Sequence, residues 1–323
     1  MTRNTNCFGN GAGARSGVYK LNTYAGYVRA EAWWQNPGQE EFLTSGSYTW
    51  VCPPGVSKIS AVCVGAGGGG YGSWSSSAGG GGGLGWKNNI PVVPGQSYTV
   101  VVGARGQRSS SNGGDSYFIG SGTVQGFGGK LNGQGGAYTG DGGGNGGTAG
   151  NYQGGGGAGG YSGSGGNTSQ DAPTNSGAGA GGGYYSSTHG TGAGGGVGIY
   201  GRRTDYNAKW GAAYGKQGGN KGSTIEVWNN GNMSGLGGQG GSRRTGTISG
   251  EMTGYSGCSG ENPWGFSYNS DAIQGGFPGG GGGGPGTSNG GGDGGDGAVR
   301  LMWGGELSNT NRSYPDTDCE DVT

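Results

Sequence analysis

The stretch Lys58-Ile59-Ser60-Ala61-Val62-Cys63-Val64-Gly65-Ala66-Gly67-Gly68-Gly69-Gly70 joins two very different kinds of chain. In its first half Ser60, Val62 and Val64 alternate with Ile59, Ala61 and Cys63. Both faces of an extended strand are then largely apolar, and a strand of that kind is covered on both sides. The second half is almost pure glycine, which has no side chain to bury and the most backbone freedom to lose on folding. What the fold does with such glycine runs is the question the rest of the sequence has to answer.

Other strand signals flank this one. Ser47 to Cys52 leads into Pro53-Pro54-Gly55-Val56, and the pair reads as a hairpin-like return into 58–64. Leu84 to Val93, a Pro94-Gly95 turn and Gln96 to Val102 form a second block, with Gly114 to Ile119 as a shorter candidate. The last signal waits until Ala298 to Trp303. There Val299, Leu301 and Trp303 share one face and Arg300 and Met302 the other, predicting a strand with one well-buried side. A lone strand has no stability of its own, so 298–303 must rejoin the sheets of residues 42–119. Everything between, about 120–297, reads as an insertion into one β-domain.

Composition sharpens the problem. Of 323 residues 95 are Gly, while Leu, Ile, Val and Phe together number only 36, too few for an ordinary core along the whole chain. A charged, solvated disordered chain is a poor fit: 18 Lys and Arg balance 18 Asp and Glu, and there are 9 Trp and 18 Tyr. Collagen is excluded, since glycine comes in runs such as 279–284 and Pro numbers only 10. No window is long and apolar enough to span a bilayer, and the first residues lack the apolar core of a secretory signal. Neutrality removes the electrostatic basis of nucleic-acid binding; Arg202/Arg203 and Arg243/Arg244 read as surface or cross-linking groups. The five Cys have no metal-ligand spacing.

Ordering the inserted region costs roughly 1–2 kcal/mol per residue in backbone entropy, which its few aliphatic side chains do not offset. Either it is a flexible coil or its backbone is held by dense hydrogen bonding between segments. The local pattern favours the second. Non-glycine residues fall at every third position in Gly143 to Thr148, at Ala158, Tyr161, Ser164 and Asn167, at Leu236, Gln239 and Ser242, and in Gly291 to Asp296. Three is the period of the extended left-handed helix. With glycine on two edges, such polyglycine II helices pack laterally through N–H···O=C bonds that a Cβ would push apart.

These residues also carry a resemblance. Tyr48 to Gly70, Gly79 to Gly103 and Gly294 to Gly304 resemble the opening, middle and closing segments of glycine-rich domains in bacteriophage tail-fibre and other virion proteins. Tail-fibre tip adhesins are similar in packing polyglycine II helices whose distal loops touch the bacterial receptor. The glycine-rich ectodomain of certain receptor tyrosine kinases is similar in interrupting a TNF-like jelly roll with glycine helices. The resemblance implies an all-β, jelly-roll-like sandwich over 42–305 with a polyglycine II insertion, an attachment arm at 1–41 and an acidic tail at 306–323. It further implies a virion protein made in the bacterial cytoplasm, with other virion proteins and a host surface glycan or outer-membrane protein as partners. A homotrimer is the implied oligomer, with a monomer capping a threefold shaft as the alternative. A head or tail decoration protein without receptor binding is the alternative function, and a bacterial surface protein a more distant one. Synthesis in that compartment favours buried thiols over a disulfide for Cys52 and Cys63.

Aromatics interrupt the glycine runs at Tyr71 and Trp74, at Tyr184 and Tyr185 before His189, at Tyr206, Trp210 and Tyr214, and at Trp264, Phe266 and Tyr268. If the runs pack, these breaks become turns, and such loops either cap the lattice or contact a receptor. Catalysis has little to work with. His189 is the single histidine and no base–nucleophile pair surrounds it. Asp293 and Asp296 share one edge of a threefold helix, but a Ca²⁺ site needs six to eight oxygens, and they read as solvated side chains. No enzyme activity, cofactor or metal is expected.

Overall fold

A computed structural model describes residues 37–71, 78–150, 154–168, 179–180, 193–201, 275–283, 291–304 and 312–315, and the backbone of six two-residue strands between 185 and 274. No helix occurs among them. Ten strands make two antiparallel sheets: β1 (Gly38–Phe42), β2 (Gly46–Val51), β3 (Lys58–Val64), β4 (Leu84–Pro91), β5 (Ser97–Val102), β6 (Ser116–Phe118), β7 (Val124–Gly126), β8 (Tyr138–Thr139), β9 (Gly142–Gly144) and the last, β16 (Ala298–Trp303). Three short antiparallel ladders complete the set: β10 (Tyr185–Ser186) with β11 (Gly190–Thr191), β12 (Thr224–Ile225) with β13 (Ser234–Gly235), and β14 (Cys258–Ser259) with β15 (Ile273–Gln274).

The first sheet runs β1-β16-β3-β4-β9 and the second β2-β5-β6-β7-β8. The return from β2 to β3 is therefore not a hairpin, as the sequence suggests, but a crossing from one sheet to the other. Cys52 and Val56, buried at the crossing, tie it into the core. The final strand does rejoin the opening ones, inserted between β1 and β3 with Ala298 opposite Val64 and Trp303 opposite both Ile59 and Gly38.

Strand alternation then sorts side chains between two cores. Ile59, Ala61 and Cys63 of β3 and Val299, Leu301 and Trp303 of β16 pack between the sheets against Trp50, Val100, Val102, Phe118 and Val124. Trp50 sits at the centre, its ring 5.6 Å from Trp303 and 5.8 Å from Phe118. Val62, Val64, Ala298 and Met302 face the other way, against Ala158, Tyr161, Val197, Ile199, Tyr200 and Tyr314. β3 is thus covered on both faces as its sequence predicts. For β16 the prediction of a single buried side needs correcting: all six residues are buried. Arg300 is fully inaccessible, with its guanidinium 4.4 Å above the Tyr200 ring. Nε and Nη2 donate to Gln39 Oε1, Nη1 donates to Ile199 O at 3.3 Å, and Glu41 lies 3.8 Å away. A buried charge survives when it is both hydrogen-bonded and paired.

Three boundaries also differ from the sequence reading. β1 begins at residue 38, inside the expected arm. β7, β8 and β9 extend both sheets within the expected glycine insertion. In the expected tail, Arg312 and Tyr314 are buried: Arg312 Nη1 donates to Gly38 O and Trp303 O, and the Tyr314 ring stacks on Tyr161 with centroids 5.6 Å apart.

The described glycine runs lie at one end of the sandwich. β3, β5, β7 and β9 continue into them, while β4, β6, β8 and β16 emerge from them. Hydrogen bonds in these runs repeat every third residue. The amides of Gly65 and Gly68 donate to Gly83 O and Gly80 O, those of Ala66 and Gly69 to Gly114 O and Ser111 O, and those of Gly67 and Gly70 to Gly295 O and Gly292 O. One run is thus bonded to three neighbours in rotation. Residues 79–83 repeat the scheme, with Gly79 and Gly82 bonded to Gly282 and Gly279, Gly80 and Gly83 to Lys130 and Phe127, and Gly81 to Gly147. The spacing leaves no room for side chains: a Cβ on Gly67 would lie 1.8 Å from Gly280 O, and one on Gly82 1.9 Å from Gly65 O.

Candidate binding surface

The glycine runs, and the turns that end them away from the sheets, are fastened together by short side-chain bonds. Arg105 grips Asp296 through its own main-chain N–H at 2.9 Å and through Nη2 at 2.6 Å, and Arg108 N–H donates to Asp293 Oδ1 at 2.7 Å. The two carboxylates therefore share an edge, as their spacing of three predicts. They are not the solvated groups the sequence suggested, because the neighbouring run offers N–H donors at the matching spacing. Ser109 N–H donates to Gly70 O at 2.9 Å, with Ser109 held at a left-handed φ of 53°. Gln107 N–H donates to Ser111 Oγ at 2.9 Å, closing the same turn.

The fastening continues sideways. Asn112 Oδ1 accepts from Leu131 N–H at 2.9 Å, and Lys130 N–H bonds Gln134 O within the 130–134 turn. Ala149 N–H donates to Gly133 O, where φ of 88° calls for glycine. Thr148 donates from both its N–H and its hydroxyl to Asn167 Oδ1 at 2.8 Å. The turns 107–112, 130–134, 148–149 and 167–168 thus form one bonded rim, with Tyr71 following Gly70 beside it. Tyr71, Arg108, Asn112, Asn132, Gln134, Thr148 and Asn167 are exposed on that rim.

Amides and hydroxyls both donate and accept, which suits a ligand rich in hydroxyl groups and provides no proton-transfer chemistry. Burial pushes the Cys63 thiol and the Tyr161 phenol far above their ordinary pKa and raises that of Cys52, so all three stay protonated; both cysteines are free thiols. Beside the middle of β4, burial alone would raise Asp141, but the Lys87 ammonium at 2.8 Å and Asn88 N–H outweigh it and hold the carboxyl below its ordinary range.

Of the aromatic contact candidates, Tyr71 is at the rim and 38% exposed. Tyr185 lies in β10. Trp74, Tyr184, His189, Tyr206, Trp210, Tyr214, Trp264, Phe266 and Tyr268 lie outside the described residues. Sequence reasoning centred on aromatics passed over the amides Asn112, Asn132, Gln134 and Asn167. Their signal was present: each interrupts or ends a glycine run. No protein-family model and no curated protein sequence matches this chain.

Proposed function

We propose that this chain is a non-enzymatic structural protein of a bacteriophage virion, a tail-fibre or tail-tip adhesin whose glycine-rich end meets the host cell surface. The observation that carries the reading is the polarity of the molecule. The outer ends of β1 and β16, Gly38 and Trp303, lie at one end of the sandwich, and the polar rim lies beyond the other. The resemblance of 48–70, 79–103 and 294–304 to virion glycine-rich domains points the same way.

The glycine runs are read as polyglycine II helices. The threefold rotation of their hydrogen bonds among neighbours supports this, and a six-residue run in that form spans about 19 Å. A jelly-roll-like plan for the sandwich draws support from β16 returning between β1 and β3. The partners are other virion proteins at the sheet end and a host surface glycan or outer-membrane protein at the rim, with a homotrimer as the assembly.

The test is cryo-EM of the intact particle with the chain located by antibody labelling. Density at a distal fibre or spike, rim outward, is the expected result. Regular copies over the capsid or along a tail shaft would overturn receptor binding and make this a decoration protein.

A further inference from the structure

The rim has a charge imbalance that the neutral chain as a whole does not. Arg105 is neutralised by Asp296. Among the described residues Arg108 and Lys130 make no ion pair, and the carboxylate next to Arg108, Asp293, accepts a bond from its main-chain N–H. The two cations stand on adjacent turns over one glycine run: a Cβ on Gly68 would meet Lys130 O at 2.5 Å, and one on Gly69 would meet Gln107 O at 2.2 Å and Arg108 N at 3.0 Å. Asn112 joins those turns through Leu131 N–H. Ser109, next to Arg108, holds a backbone conformation that costs a non-glycine residue energy, as segments shaped for ligands often do. Tyr71 adds an exposed ring on the same run.

Resting on the surface reading above, we infer that the rim is specific for an anionic polysaccharide, with Arg108 and Lys130 taking its carboxylate or phosphate groups and the neighbouring amides its hydroxyls. Arginine offers a planar fork to either anion and lysine a point charge. The amide and hydroxyl residues bind sugar hydroxyls whatever the charge, so the cations decide which glycan is held.

Binding of the purified full-length chain to polygalacturonate, to a polyol-phosphate teichoic acid and to neutral dextran separates the sources. At low salt, one or both anionic polymers bind at least tenfold more tightly than dextran, and the preference falls as salt rises. Arg108→Gln with Lys130→Gln, exposed or half-exposed positions that leave the fold intact, removes that preference. Preference for polygalacturonate assigns the carboxylate, and preference for teichoic acid the phosphate. Dextran binding equal to that of the polyanions and unchanged in the double variant would overturn the inference while leaving a glycan-binding rim. Binding to none of the three, together with no binding to host cells, would overturn both.

Discussion

At Gly67 the lattice is decided by a single missing carbon. Because a Cβ there would sit 1.8 Å from Gly280 O, Gly67→Ala must push two backbones apart and break bonds on either side. The expected destabilisation is about 3 kcal/mol or more, read from denaturant unfolding. Gly122→Ala, where nothing lies within 4 Å, is the control and stays within about 0.5 kcal/mol of the parent. Glu40 gives a second test. Burial raises its carboxyl above the ordinary value of 4.5, with a hydrogen bond from Trp50 offsetting part of the rise. A raised folded-state pKa means that its contribution is full below the unfolded value and is lost as pH rises through the folded one. Glu40→Gln, which avoids the burial of a charge, therefore melts above the parent at pH 7, and the difference closes toward pH 4. Equal melting temperatures at both pH values would contradict this.

Among the elements, β3 was the most legible, since its two alternating apolar sets correspond to two cores. β16 was half legible. Its inter-sheet face showed in Val299, Leu301 and Trp303, but the partners that let Arg300 lie buried on the other face are Gln39 and Ile199, 261 and 101 residues away in sequence. β7, β8 and β9 are two or three residues long, too short for any periodicity to announce them, and β9 is glycine throughout. The rim was legible as turns between glycine runs, but its side-chain bonding depends on contacts between runs that sequence does not order. One such contact is open to measurement. Asp296→Asn removes the charge from the Arg105 grip, and with the arginine side chain 40% exposed the loss is modest, about 1 kcal/mol. It is seen as faster amide exchange in 103–108 with little change in β3.

Over the whole molecule, the sheets supply side-chain cores and the glycine runs supply backbone hydrogen bonds. The two join because strands pass directly into runs. The far segment around Tyr314 closes the outer core, stacked on Tyr161 and bonded by its main chain to Asn88 at 2.7 and 2.9 Å. Tyr314→Ala is expected to cost about 3–5 kcal/mol, far more than a residue in a solvated tail would. The most direct measurement is amide hydrogen exchange resolved to residues 65–70 and 79–83, which belong to no strand. If these runs are a laterally bonded lattice, their amides exchange as slowly as those of β3. Exchange at the rate of an unstructured glycine chain would contradict it.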